Sequence, residues 1–551
     1  MQERPWHRHY DPRVPRELDF ERITAPEILR RTAGKHPDKP AQIFFGTVIT
    51  YGALEADVNR FARALQRLGV REGDRVSLVL PNIPQFTIAN YAAFRLGAVT
   101  VMNNPLYTLE ELTYQFNDSE SSVAVMLDVA FPLGEGLMAR TGVKKLILAS
   151  VADFLPEALK PQFPPAAVPE KEGVYHFRDL LAAEGGGPVE NVPAWDDLGA
   201  LLYTGGTTGV SKGVMLSHAN ISANISANVQ QFRSWFPEAV DGEERLLAIY
   251  PFFHAAGWTG IQNTCIYAAW TAVLVPRPEP GVILELIEKT RPTLLPGVST
   301  IFVALLNNER FLKMDLSFVK GYLTGAAPMA VETIAALKRV RDVPLINVYG
   351  LTEITPMGTA TPWGGREKPE TVGVPLPSTD LKIVDLETGE RDLPIGETGE
   401  ICFKGPQVML GYYKKKEETD LVLKDGWLKT GDVGYLDADG YLTIVDRKKD
   451  LIISGGYNIY PREIDELLMT HPKVLEVCAV GVPDPYRGET VKVFVVARPG
   501  ETLTAQEVIS FCRERLAPYK VPRLVEFLDA LPKSSVGKVL RRELRNRPHQ
   551  A

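Results

Sequence analysis

The chain has 551 residues, of which 45% are hydrophobic and 23% charged, with a formal net charge of −7. That length exceeds what one compact core supports, so more than one domain is expected. The balance of charge argues against a nucleic-acid partner, and the short basic runs Lys414-Lys415-Lys416 and Arg541-Arg542 read as solvated faces. Four cysteines, Cys265, Cys402, Cys478 and Cys512, lie far apart without CxxC spacing, which argues against zinc or thioredoxin-like chemistry and suits a reducing compartment. The opening Met1-Gln2-Glu3-Arg4-Pro5 has no apolar signal core, and the apolar stretch from Cys265 to Val275 is too short to span a bilayer. A cytoplasmic protein is expected, with peripheral membrane contact and a homodimer left open.

In chain order, Arg75 to Leu80 and Ala124 to Leu127 read as buried strands on either side of a helical stretch through Tyr91, Phe94 and Leu96. This alternation predicts α/β architecture with a largely parallel sheet. The proline-rich segment Pro156 to Pro169 and the run Gly185-Gly186-Gly187-Pro188 mark a surface excursion and a subdomain boundary. The Ala-Asn-Ile-Ser repeat within Ala219 to Asn228 has a period of four, which suits a helix. After Pro369 short β-rich runs between Gly, Pro and Asp turns predict a small β-barrel or sandwich. Beyond Asp450 a compact α+β unit follows: Pro461 opens a helix, Val477 to Val482 and Val491 to Val496 read as strands, and Thr504 with Glu507 forms a capping box.

The densest chemical signal is Tyr203-Thr204-Gly205-Gly206-Thr207-Thr208-Gly209-Val210-Ser211-Lys212-Gly213, after the apolar run Ala200-Leu201-Leu202. Glycines let a backbone approach an anion and turn its N–H groups toward it, the threonine hydroxyls add donors, and Lys212 adds charge. This is a phosphate cradle. It is not a Walker A loop, because Ser211 rather than glycine precedes Lys212, and that excludes a P-loop phosphotransferase.

Five further motifs follow in order: Gly325-Ala326-Ala327-Pro328, Tyr349-Gly350-Leu351-Thr352-Glu353, Thr430-Gly431-Asp432, Asp446-Arg447-Lys448-Lys449-Asp450 and Pro532-Lys533-Ser534-Ser535-Val536-Gly537-Lys538. With the cradle, this set resembles the adenylate-forming superfamily over nearly the whole chain. The phrases Asn104-Pro105-Leu106-Tyr107-Thr108, Gly405 to Tyr412 and Asp425 to Leu428 look most like bacterial long-chain fatty-acid–CoA ligases. The resemblance implies a large N-terminal domain over 1–446, with subdomains at about 1–194, 195–368 and 369–446. A hinge at 447–450, centred on Lys449, and a small mobile α+β domain over 451–551 would follow.

The resemblance also implies roles. Gly325, Ala326, Ala327, Tyr349 and Gly350 would face the adenine of ATP, with the Tyr349 ring flat against it. Asp432 would accept hydrogen bonds from the ribose, Arg447 would reach the same sugar, and Thr352 would donate to the α-phosphate. Glu353 and Thr204 offer hard oxygens that suit Mg²⁺. Lys538 would reach across the domain gap to stabilise charge as the carboxylate attacks phosphorus. His254, Gly257, Trp258, Val298 and Gly325 would line the acyl pocket, where bulky Trp258 and Val298 leave the chain length open. Ser454, Gly455, Gly456 and Tyr457 would border the thiol arm of coenzyme A. The expected function is a two-step, ATP-dependent fatty-acid–CoA ligase. An enzyme that activates another carboxylate or loads a carrier protein is the alternative, and a non-catalytic nucleotide-binding regulator is the alternative of another class.

Overall fold

The computed structural model describes residues 4–185, 187–189, 191–204, 211–235, 242–325, 329–362, 368–454, 457–534 and 538–547. A large N-terminal domain and a smaller C-terminal one share four sheets. The first has eight strands, in the order Gly411–Tyr412, Lys212–Ser217, Leu198–Thr204, Val99–Met102, Arg75–Val79, Val123–Leu127, Lys145–Ala149 and Val174–His176. From Leu198–Thr204 onward its pairs are parallel. Such strands are covered on both faces, which explains continuous apolar runs: all four residues of Val99–Met102 are buried.

The second sheet has nine strands, and its parallel middle runs Leu345–Tyr349, Gly321–Thr324, Leu294–Pro296, Arg245–Ala248, Thr271–Leu274 and Pro40–Phe44. Between the two large sheets lies the helix Pro84–Arg95, in which every residue is buried. A helix buried on all sides belongs in an interior and must find partners for its polar side chains. Its polar residues bind it to the second sheet's side of the molecule: Thr87 accepts from Gln42 and donates to Gln262, and the Tyr91 hydroxyl donates to Asn263. Asn82, just before this helix, donates to the carbonyls of Ala248 and Tyr250.

Sheet membership cuts across the boundaries expected at 194 and 368. Leu198–Thr204 and Lys212–Ser217 extend the first sheet, Pro40–Phe44 and Thr47–Thr50 edge the second, and Val374–Pro375 closes the second sheet's other edge. Pairing is decided through space, so a strand joins the edge it can reach, whatever its place in the chain.

The β-rich stretch after Pro369 was expected to form a small barrel or sandwich. Among the described residues it forms an open sheet instead: Asp380–Val384, Gly399–Lys404, Trp427–Leu436 and Leu423–Lys424, with Leu442–Arg447 also paired to Trp427–Leu436. The C-terminal domain has its own five-stranded sheet, built on the long hairpin Val474–Asp484 and Gly488–Ala497. It also has its own core, including Ile452, Ile464, Val493 and Val508. Pro461 does open a helix, Pro461–Met469, and Thr504 with Glu507 does form a capping box. All four cysteines are buried and free. No helix among the described residues is long and apolar enough to cross a membrane.

Candidate active site

Most of the motifs converge on a single cavity of about 580 Å³, bordered by the first three sheets and by the C-terminal domain. Thr204 and Lys212 enter from the first sheet, where they face each other across the two stems of a hairpin. The cradle residues between them, Gly205, Gly206, Thr207, Thr208 and Gly209, lie outside the described residues, as do Ala326, Ala327, Gly455 and Gly456. Lys212 pairs with Glu418, and its ammonium lies 4.7 Å from the centroid of the Tyr412 ring.

From the second sheet come Gly325, Tyr349, Gly350, Thr352 and Glu353. Thr352–Ile354 is one 3₁₀ turn just past the strand Leu345–Tyr349. The Glu353 carboxylate accepts a 2.9 Å hydrogen bond from the Tyr412 hydroxyl. Burial pushes the Glu353 pKa up, partly opposed by that hydrogen bond. Gly350 is required by space: a Cβ there would stand 1.8 Å from the Pro356 carbonyl oxygen. Gly325 is similar, with a Cβ meeting the Val348 side chain at 2.6 Å.

The third sheet supplies Asp432 and Arg447, directly opposite each other on neighbouring antiparallel strands. Arg447 Nε lies 3.2 Å from Asp432 Oδ1, and the Tyr349 hydroxyl donates to Oδ2 at 2.7 Å. Tyr349 therefore does more than present a ring face, because its hydroxyl ties the second sheet to the third. Burial and then the Asp432 charge hold its phenol well above the usual range.

The C-terminal domain adds Lys538, with Lys449 from the joint. Burial, reinforced by Arg447, lowers the Lys538 ammonium to about 8 although Asp432 opposes the shift. His254 lines the cavity, and its Nδ1 caps the short turn Ala255–Gly257 by accepting from the Ala256 N–H at 3.3 Å. Burial, followed by the Lys538 charge, lowers His254 to about 4, so it is neutral near pH 7.

Three of the expected acyl-pocket residues sit elsewhere. Trp258 has no exposed surface and opens the π-helical turn Trp258–Asn263, with its ring 6.2 Å from that of Phe94 in the buried helix. Gly257 is pressed against the Tyr250 and Pro251 carbonyls, where a Cβ would come within 2.4 Å of both oxygens. Val298 is buried at the start of the helix Ser299–Leu306. The cavity wall near His254 is formed instead by Tyr250, Ala256, Gly260, Leu323, Val348 and Met357. Of the expected coenzyme A residues, Ser454 is buried in the strand Ile452–Ser454. Tyr457 is exposed and stacks on Tyr519, ring centroids 4.6 Å apart. Neither borders the cavity, which receives the Lys538 end of the domain instead.

Sequence reading passed over Tyr412, Lys429 and Lys448, which also border the cavity. Tyr412 stood in a noted phrase, but its neighbours depend on the short pairing of Gly411–Tyr412 with Val214 and Met215. Lys448, given no role of its own within the Asp446 to Asp450 motif, pairs with Glu400 at 2.9 Å.

Residues 29–413 match the AMP-binding enzyme family, and residues 463–538 match the AMP-binding enzyme C-terminal domain. The chain belongs to the AMP-binding enzyme family. The long-chain-fatty-acid–CoA ligase of Bacillus subtilis (strain 168) is 42% identical over 554 residues, covering 98% of each chain. The ligase of the same name from Escherichia coli O157:H7 is 38% identical over 557 residues, again covering 98% of each. Among solved structures, ATP-bound MatB from Rhodopseudomonas palustris superposes with a TM-score of 0.84 at 31% identity, covering 95% of this chain and 98% of that one. A Mycobacterium tuberculosis fatty acyl CoA synthetase gives 0.71 at 28% identity, covering 95% and 97%.

Family members thus share this frame, and the close approach at Gly350 can be tested in this one. Gly350→Ala places a methyl group where a backbone oxygen now stands, so the turn carrying Thr352 and Glu353 must shift. Overpacking of this kind costs about 1–3 kcal/mol. The expected result is a lowered melting temperature together with weakened ATP binding, and an unchanged melting curve would show that the backbone does not pass so close.

Proposed function

We propose that this AMP-binding enzyme is an ATP-dependent fatty-acid–CoA ligase working in two steps through one acyl-adenylate. One observation carries the reading: Lys538 of the C-terminal domain borders the same cavity as Asp432, Glu353, Lys212 and His254 of the N-terminal domain. Relatives named as long-chain-fatty-acid–CoA ligases match from end to end and support the substrate class. So does the wall beside His254, where Ala256, Leu323, Val348 and Met357 offer an apolar chain contact and His254 carries no charge near pH 7.

In the first step the fatty carboxylate attacks the α-phosphorus of ATP. The new bond is carboxylate oxygen to phosphorus, and the bond to the bridging oxygen breaks, releasing pyrophosphate. Asp432 and Arg447 hold the ribose, Thr204 and Lys212 hold the outer phosphates, and Thr352 donates to the α-phosphate. Lys538 places its ammonium where two anions must meet, and this lowers the repulsion between them. In the second step the coenzyme A thiolate attacks the acyl carbonyl, and AMP leaves with the electrons of the anhydride bond.

Glu353 and Thr204 fit a magnesium ion shared with the phosphates. Their oxygens are hard donors, and the Tyr412 hydroxyl occupies only one of the carboxylate's roughly four lone pairs. Bound there, magnesium would neutralise phosphate charge. The joint between the domains is read at 447–450 with Lys449 as the hinge residue, and rotation there would exchange Lys538 for the Ser454 to Tyr457 hairpin.

The deciding experiment is coenzyme A-dependent AMP formation across a ladder of fatty acids. Thioester formation rising with chain length is expected, and activity only with a carrier protein, or only with short polar acids, would overturn the reading. Lys538→Ala should lose adenylate formation yet keep thioester formation from supplied acyl-adenylate. Equal losses in both steps would mean that the lysine is structural or serves both.

The pH profile gives an independent check. Lys538 is lowered toward about 8, so it is cationic below that pH and neutral above it. If the cation is the working form, kcat/KM for adenylation falls as pH rises through about 8 in the wild type. In Lys538→Arg, where the side chain stays charged, the alkaline limb should vanish. An alkaline limb kept by the arginine variant would assign it to another group.

A further inference from the structure

The two side chains read as facing the outer phosphates, Thr204 and Lys212, stand at the top of one hairpin. Thr204 and Lys212 are the last pair of the antiparallel ladder before the glycine-rich segment, and a phosphate site needs its donors held to within about 0.5 Å. The residues that precede them in the chain, Tyr203 and Ser211, are both held by the helix Leu109–Ser119. The Tyr203 hydroxyl donates to Asp118 Oδ2 at 2.7 Å. The Tyr114 hydroxyl donates to the Ser211 carbonyl at 3.0 Å, and Gln115 Nε2 donates to Ser211 Oγ at 3.3 Å. Gln115 is only 2% exposed, and its own carbonyl accepts from Asn103 at 2.7 Å, so both ends of the amide are fixed.

Residues 114, 115 and 118 share one face of the helix, at i, i+1 and i+4. The helix is anchored at both ends. Thr108 and Glu111 form a capping box at its start, and Glu120, at its end, pairs with Lys414 at 2.9 Å. Gly213 leaves the Tyr203 ring its place, since a Cβ there would lie 3.2 Å from the ring. None of Tyr114, Gln115 and Asp118 borders the cavity.

We infer that the helix Leu109–Ser119 is a positioning element for ATP. Asp118 clamps one stem of the phosphate hairpin through Tyr203, while Tyr114 and Gln115 clamp the other through Ser211, which sets the spacing of Thr204 and Lys212. The inference rests on the reading of that pair as phosphate contacts. A carboxylate acceptor makes the Asp118 bond the strongest of the three.

Asp118→Ala removes that acceptor without substituting any residue that borders the cavity. Calorimetry of ATP binding, without any acyl substrate, should show affinity lowered about tenfold. Affinity for AMP, which lacks the outer phosphates, should not change, whereas a general loss of structure would weaken both. Tyr203→Phe should lose as much, and the double variant no more than either single, because all three remove the same bond. Asp118→Asn keeps an oxygen acceptor and should recover most of the affinity. Gln115→Leu gives a second reading at the other stem if Asp118→Ala does not fold. Unchanged ATP affinity, equal losses for ATP and AMP, or additive losses in the double variant would each overturn the inference. Should the wild type bind ATP but activate no carboxylate, the ligase reading fails while these titrations still decide the clamp.

Discussion

The hydrogen bond from Tyr349 to Asp432, with Arg447 on the other carboxylate oxygen, is the point where the molecule is held together around its site. Tyr349 ends a strand of the second sheet, and Asp432 and Arg447 face each other in the third. Arg447 is also the last residue of its strand before the joint to the C-terminal domain. One carboxylate thus links two sheets beside the start of the C-terminal domain. A buried carboxylate with two donors is held in one orientation.

Around this node the cavity collects positive charge from separate parts of the chain: Lys212 from the first sheet, Lys429 and Arg447 from the third, Lys449 from the joint and Lys538 from the C-terminal domain. Several are partly neutralised by fixed partners, Lys212 by Glu418 and Arg447 by Asp432. The Lys538 ammonium is instead lowered to about 8 by burial, reinforced by Arg447. Such a group gains most when an anion arrives, because ATP relieves both the burial cost and the repulsion.

The tyrosines do the second job of alignment. Tyr412 joins Glu353 to Lys212 through its hydroxyl and its ring face, and Tyr203 joins the phosphate hairpin to the helix behind it. Burial holds both phenols above their ordinary range, so they act as donors throughout the working pH range. The Tyr412 hydroxyl reaches from the first sheet to the turn after the second sheet's strand Leu345–Tyr349, and the Tyr203 hydroxyl reaches from the first sheet to the helix Leu109–Ser119.

The sequence by itself determined the chemistry and the local elements. A glycine-rich run before a lysine, an acid after Tyr-Gly-Leu-Thr and a lysine in a polar terminal loop carry their meaning in residue type and spacing, which local geometry preserves. Helix starts at Pro461 and Thr504 and the strand at Arg75 were legible for the same reason, since caps and periodicity act within a few residues. Sheet membership, the open third sheet, the burial of Trp258 behind the cavity and the company kept by Tyr412 were decided only by the tertiary structure. Each depends on contacts between residues far apart in the chain: Pro40–Phe44 lies beside Thr271–Leu274, and Tyr412 beside Val214. An apolar tryptophan reads the same whether it faces a ligand or a neighbouring helix, because the hydrophobic effect has no direction and only packing chooses between them.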